Sequence, residues 1–338
     1  MVVKVGLAPG ALGSAKRIGN HFPTCIVMRR RCPCTGPRRG TLPMVFAVHR
    51  RLFAVIALLA CCVPAAAEPP QRIASLNLCT DQMLMLLVEP SRIASVSFLA
   101  QRADSSVMYR EAAALKANYG RAEEVFVLHP DLVLAGTFTA RATVSILERL
   151  GKRVELFEPA TTFDDIRAQL LRMGDLVEER AKAEALVAAF DEQVRLLERP
   201  QHRPLAAFYF ANSYTSGRGT LPSSVLEAAG LRNLGAELGL EQTAALPLEV
   251  LVTSRPDLVV KGRTYDRPAL AQEIFVHPAL AYLDARSEEA VLPDTYMVCG
   301  TPHVLRAVQR LADIRRQLGS PAPRPVATRG SGSATTVR

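Results

Sequence analysis

Four arginines and three aromatic residues stand in short loops from which they could hold a ligand. Phe138 and Arg141 share one loop, Tyr214 and Arg218 a second, and Arg263, Tyr265 and Arg267 a third. Guanidinium groups make charge-assisted hydrogen bonds to carboxylate or phosphate, and cations and aromatic rings both stack on conjugated surfaces. As a set they suit an anionic or flat conjugated ligand, although each alone is an ordinary surface residue. Signatures of catalysis are missing: there is no Gly-x-Ser-x-Gly, no phosphate loop, no His-Glu-x-x-His and no Gly-x-Gly-x-x-Gly after a strand. His129 and His277 each precede a proline, His202 lies in a linker, and only His303 is near a cleft loop, so the histidines read as surface or capping residues. No Cys/His cluster has metal-ligand spacing. The expectation is a binding protein with no catalytic residue, no cofactor and no resident metal.

The elements that must carry these loops repeat. Glu123-Glu-Val-Phe-Val-Leu-His-Pro-Asp-Leu-Val-Leu-Ala-Gly136 returns as Glu249-Val-Leu-Val-Thr-Ser-Arg-Pro-Asp-Leu-Val-Val-Lys-Gly262, with glutamate, Pro-Asp-Leu-Val and glycine at identical offsets. In each copy a short helix runs to His129 or Arg255, where the following proline disfavours the α conformation, and a buried strand begins. Two copies this far apart predict two lobes. Ligands of open α/β sheets bind beyond the carboxyl ends of the strands, so the loops after Gly136 and Gly262 should face each other across a cleft. Glu123 and Glu249 begin their helices, where an acid is favourable. Their recurrence in both copies also suggests matched acidic posts that dock a partner with paired basic pockets.

Strands are expected at 71–76, 93–98, 153–157, 205–210 and near Val291, with helices at 82–88 (capped by Thr80 or Asp81), 142–150, 223–229, about 269–274 and 303–318. Segment 101–120 reads as a lobe-edge loop. This alternation of strand and helix predicts α/β architecture: two similar lobes, each a parallel sheet flanked by helices, joined by one long α-helix. The lobes span 68–160 and 204–319. Between them, 161–203 is a helical segment interrupted near Glu178-Glu179-Arg180, and its second half places Ala183, Leu186, Val187, Phe190, Val194 and Leu197 on one face. Residues 320–338 are rich in Pro, Gly, Ser and Thr and read as a disordered tail.

The formal charge of +9 would invite a nucleic-acid partner, but residues 1–67 hold ten of the 41 Lys and Arg and none of the 32 Asp and Glu. The remainder is close to neutral and lacks the basic face of a nucleic-acid-binding domain. From Met44, the basic run His49-Arg50-Arg51, the apolar stretch 52–63 and Ala65-Ala66-Ala67 form a secretory signal peptide. A lipid anchor at Cys61 is the rival reading, and 1–43 reads as upstream of the true start. Beyond the leader only Cys79 and Cys299 remain, as one disulfide or two buried thiols.

From Arg72 to about Leu318 the chain resembles the periplasmic substrate-binding proteins of the helical-backbone type, which serve importers of cobalamin, ferric siderophores and heme. The resemblance rests on Arg72-Ile-Ala-Ser-Leu-Asn77, on Glu123 to Pro130 with Asp131-Leu-Val-Leu, on Leu150-Gly before the strand at 153–157, on Gly230-Leu-Arg-Asn233, and on Pro256-Asp-Leu-Val-Val. It implies a metal chelate held between the lobes of a monomer, a connecting helix at 181–198, and an inner-membrane ABC permease dimer, with its ATPase, that receives Glu123 and Glu249. Asn77 and Tyr296 join the ligand-facing set. The part after the leader has no Trp, and Phe138, Tyr214, Tyr265 and Tyr296 would replace it as cleft aromatics. The arginines incline the expectation towards a ferric siderophore over cobalamin, and a Cys79–Cys299 disulfide across the lobes would limit their opening. An exported enzyme or chelatase-like protein on the same fold is the alternative; it would need a titratable pair in the cleft, near Asp81 or His303. An orphan sensor is a third.

Overall fold

The computed structural model describes residues 68–198, 200–262, 270–284 and 287–319. The expected leader, the expected tail and the loop bearing Arg263, Tyr265 and Arg267 lie outside the described residues. The first lobe runs β1 (Ile73–Ser75), α1 (Leu78–Leu87), β2 (Ile93–Ser97), α2 (Tyr109–Ala112), β3 (Ala117–Asn118), α3 (Ala122–Phe126), β4 (Leu132–Gly136), α4 (Arg141–Arg149) and β5 (Val154–Phe157). Its sheet has the order β3-β2-β1-β4-β5, parallel throughout. Helices α5 (Phe163–Leu176) and α6 (Arg180–Arg195) follow.

The second lobe contains β6 (Leu205–Tyr209), β7 (Tyr214–Ser216), α7 (Leu221–Ala228), β8 (Arg232–Asn233), α8 (Leu234–Glu237), β9 (Thr243–Ala245), α9 (Leu248–Ser254), β10 (Leu258–Lys261), α10 (Pro278–Asp284), β11 (Glu288–Val291) and α11 (Leu305–Gly319). Parallel strands β11-β10-β6-β8 form its main sheet, and β7 pairs antiparallel with β9.

The repeated stretch occupies the same place in both lobes. Strand β4 lies beside β1 and β10 beside β6, with Ile73 opposite Leu132 and Ala206 opposite Leu258. The shared aspartate explains why. Asp131 accepts the backbone N–H of Gln71 (2.7 Å) and of Arg72 (3.1 Å), and Asp257 accepts that of Leu205 (2.7 Å). Each carboxylate thus ties the start of the repeat strand to the start of the lobe's first strand. The residues before the two prolines, His129 and Arg255, are both left-handed, at φ 48° and 47°, which avoids the conformation that proline disfavours and, at Arg255, caps α9.

Successive residues of a strand face opposite sides, and here the two sides have different owners. Leu132 and Leu134, like Leu258 and Val260, enter one apolar core continuous through both lobes. Val133 packs with Ala74, Val125 and Leu147, and Val259 with Tyr209, Leu248 and Leu251, in clusters private to each lobe. Both faces are covered, which is why both strands read as unbroken apolar runs.

Two expectations are corrected, and the expected break in the long helical segment is present. Helix α1 starts earlier, at Leu78, because the Asn77 side chain accepts the N–H groups of Cys79 (2.9 Å) and Thr80 (3.4 Å); Asn77, and neither Thr80 nor Asp81, is the cap. Segment 101–120 holds α2 and β3. The long helical segment divides at left-handed Glu178 (φ 58°), where Arg92 bonds Glu179 (2.7 Å) and the Val177 carbonyl (2.6 Å) and anchors the break to the first lobe. The connection is therefore α6, 16 residues and about 24 Å long at ~1.5 Å per residue.

Candidate functional site

In both sheets the chain steps one way from the first strand and then the other, so the switch points lie between β1 and β4 and between β6 and β10. Crevices at such points are where open α/β sheets bind ligands. A cavity of about 170 Å³ opens at the first of them. Its walls come from the ends of β1 (Asn77), β4 (Gly136, Phe138) and β5 (Phe157, Glu158), from Leu221 at the start of α7, and from segment 297–300 of the second lobe.

Asn77 is placed by its own cap. Its Oδ1 is occupied by the first turn of α1, while the Nδ2 side lies against β4, so close that a Cβ on Gly136 would sit 2.7 Å from it. Phe138 projects from the end of β4 and is 86% exposed. Two further exposed aromatics follow the carboxyl ends of strands in the same sheet, outside the lining of this cavity. Phe98 follows β2 and Tyr119 follows β3; their rings stack at 5.2 Å and both are exposed. The rule that sites lie at strand ends would have found Tyr119 had β3 been visible, but a two-residue strand has no periodicity to detect.

The remaining described candidates, Arg141, Tyr214, Arg218 and Tyr296, are not part of this lining. Arg141 is exposed and begins α4. Tyr214 begins β7 and is partly exposed, and Tyr296 is half-buried against the shared core. Arg218 is engaged, donating to the Ala236 carbonyl (2.8 Å) and reaching Glu241 (3.5 Å). Arg263 and Tyr265 lie outside the described residues.

The second lobe reaches the cavity through a strap, residues 297–301. Cys299 forms a disulfide with Cys79 in the first turn of α1. Gly300 lies so close to the first lobe that a Cβ there would meet the Ala160 Cβ at 2.3 Å, and the Thr301 hydroxyl donates to Gln82 Oε1 (3.4 Å).

Of the two titratable groups named beforehand, Asp81 is fully buried and turned into the first lobe, accepting the Ser97 N–H (3.1 Å) and the Ser97 hydroxyl. Burial pushes its carboxyl up to about 7, against the hydrogen bonds from Ser75 and Ser97 that lower it. Burial, aided by Arg306, holds His303 below the usual imidazole range. Neither lines the cavity, and the described residues contain no cluster of three metal-ligating side chains. A larger cavity of about 530 Å³, lined by Phe163, Arg167, Leu197, Pro200 and Ala228, lies between the start of α5, the end of α6 and α7.

Glu123 and Glu249 are exposed in α3 and α9, and neither pairs with a described base. Their neighbour Glu124 differs, because it accepts the N–H groups of Tyr119 (2.5 Å) and Arg121 (2.9 Å).

Two parallel sheets with like-placed switch points make this a two-lobed α/β fold, with a cavity between strand ends and strap. The chain belongs to the periplasmic binding protein family, whose model matches residues 73–292. A cobalamin-binding protein of Halobacterium salinarum is 25% identical over 250 residues, covering 72% of this chain and 67% of its own. Among solved structures, an apo periplasmic heme-binding protein of Roseiflexus sp. RS-1 superposes with a TM-score of 0.62 at 19% identity, covering 74% of this chain and 99% of that one. A periplasmic vitamin B12 binding protein of Vibrio cholerae superposes with 0.56 at 17%, covering 75% and 99%. These structures share the fold.

Proposed function

We propose that the protein is the periplasmic solute-binding component of an ABC importer, that it carries a metal chelate between its lobes, and that it performs no chemistry on it. Family membership supports the role in transport, and the cavity at the switch point supports the place of binding. Within the chelate class the reading moves from a siderophore to a planar macrocycle of the cobalamin type. The observation that carries this is the set of exposed aromatics at the carboxyl ends of one sheet, Phe98 after β2 stacked on Tyr119 after β3, and Phe138 after β4. Arg218, one of the arginines that favoured an anionic siderophore, is engaged with Glu241 and Ala236. The cavity is smaller than the roughly 300 Å³ at which small-molecule sites begin. A macrocycle would seat one edge in it and lay its face on the exposed aromatics. The cobalamin-binding relative points the same way.

Delivery is to a permease dimer that receives Glu123, exposed beside the capping Glu124, and Glu249, exposed in α9. The protein acts as a monomer, exported by the signal peptide before Glu68, with a lipid anchor at Cys61 as the other route of retention. Calorimetry with cyanocobalamin and with ferrichrome tests the ligand class: binding of the first and none of the second is expected, and the reverse overturns the macrocycle reading. Reversing both charges, Glu123→Lys with Glu249→Lys, should abolish uptake and leave binding unchanged; undiminished uptake would remove the docking role.

A further inference from the structure

The disulfide lies in the wall of the cavity. Cys79, Met297, Val298 and Gly300 all line it, so the covalent bond between the lobes and the proposed ligand share one surface. The two cysteines differ in access: Cys299 is 2% exposed and outside the lining, whereas Cys79 is partly exposed and lines the cavity. A thiolate entering the cavity would therefore reach the Cys79 sulfur.

We propose that ligand binding and the Cys79–Cys299 disulfide are thermodynamically coupled, so that an occupied cleft resists reduction by dithiols and a reduced protein holds its ligand less tightly. The inference rests on the reading of this cavity as the ligand site. The chemistry is dithiol exchange. One thiolate of a dithiol reductant attacks the Cys79 sulfur, the bond to Cys299 breaks, and Cys299 leaves as a thiolate that takes a proton from water. The second thiol of the reductant then displaces Cys79 from the mixed disulfide and closes the reductant's own disulfide. Two electrons and two protons pass to the protein. Cys79 departs from the first turn of α1, where the helix N-terminus favours a thiolate.

Reduction would loosen the wall selectively. Of the strap's ties to the first lobe, the packing of Gly300 on Ala160 and the long Thr301–Gln82 hydrogen bond remain, while Met297 and Val298, which face the ligand, lose their covalent neighbour. A wall that must be ordered upon binding costs affinity that a fixed one does not. Linkage then requires that ligand and disulfide favour each other by the same factor.

The full-length chain is equilibrated in mixtures of reduced and oxidised dithiothreitol, with and without cyanocobalamin, hemin or ferrichrome, and peptide mapping of alkylated Cys79 and Cys299 gives the fraction reduced. For the probe that binds, the reduced-to-oxidised dithiothreitol ratio at half-reduction should rise about tenfold at saturation. Calorimetry on the reduced chain and on Cys79→Ser/Cys299→Ser should give a dissociation constant weaker by the same factor. If the double variant does not fold, the half-reduction shift in the unaltered chain decides alone. A bound probe that moves neither quantity overturns the coupling and leaves the ligand reading intact. Absence of binding to the oxidised chain by all three probes overturns both.

Discussion

The two lobes use one motif and diverge around it. Each places a Pro-Asp-Leu-Val strand beside its first strand and ties the pair with an aspartate, and each sends alternate residues into a common core. At the strand ends the likeness stops. Among the described residues, the first lobe leaves Phe98, Tyr119 and Phe138 exposed after its strands, whereas the second exposes Tyr214, commits Arg218 to Glu241 and Ala236 and adds the antiparallel β7–β9 pair. A repeated scaffold thus carries two unlike walls, because packing constrains the strand and leaves the loop after it free.

Asp81 gives the largest test of the asymmetry, since the described residues of the second lobe contain no fully buried acid. An acid whose folded pKa lies above its unfolded value binds its proton more tightly when folded. Its contribution is therefore most favourable below about pH 4 and is lost as pH rises to about 7, at up to ~1.4 kcal/mol per pH unit. Denaturant titrations between pH 4 and 8 should show that loss, and Asp81→Asn should flatten it. A slope unchanged in the variant would place the titration elsewhere.

The strap comes next. Gly300→Ala puts a methyl into Ala160 and should cost about 2–3 kcal/mol, the range for overpacking, measured by the same titrations. The glycines that close the two repeats should then separate. Gly136→Ala meets Asn77 at 2.7 Å and should cost about 1–2 kcal/mol, whereas Gly262→Ala comes no nearer than 3.4 Å, to Asp294, and should stay within ~0.5 kcal/mol. Equal losses would mean that the glycine is required by the motif and not by the cap of α1. In the aspartate pair, Asp131→Ala breaks bonds from two backbone N–H groups and Asp257→Ala from one. Losses of about 2 and about 1 kcal/mol are expected, small because both sites are exposed. An inverted order would show that the second lobe relies more on its tie.

The repeat, the parallel α/β class and the break near Glu178 were legible because buried parallel strands are continuous apolar runs and prolines mark where they begin. So was Phe138, which follows a strand the pattern makes obvious. Phe98 closes the expected strand at 93–98, but nothing local sets it apart from a core residue. Tyr119 was hidden, because it follows β3, whose two residues Ala117 and Asn118 acquire strand character only by pairing with Val96 and Ser97. The cap of α1 was hidden too, since Asn77, Thr80 and Asp81 all suit that role and only the chain direction after β1 selects Asn77.

What the sequence determined by itself was therefore local and periodic: which strands are buried on both faces, where helices stop, and that one motif occurs twice. The tertiary structure decided what pairs across distance. Cys79 and Cys299 are 220 residues apart, and nothing in their neighbours encodes the meeting. It follows from a strap that leaves β11 and is brought against α1 before α11, with Gly300 permitting the approach to Ala160. Apolar periodicity reports which face a residue turns inward; it does not report which other inward face it will meet.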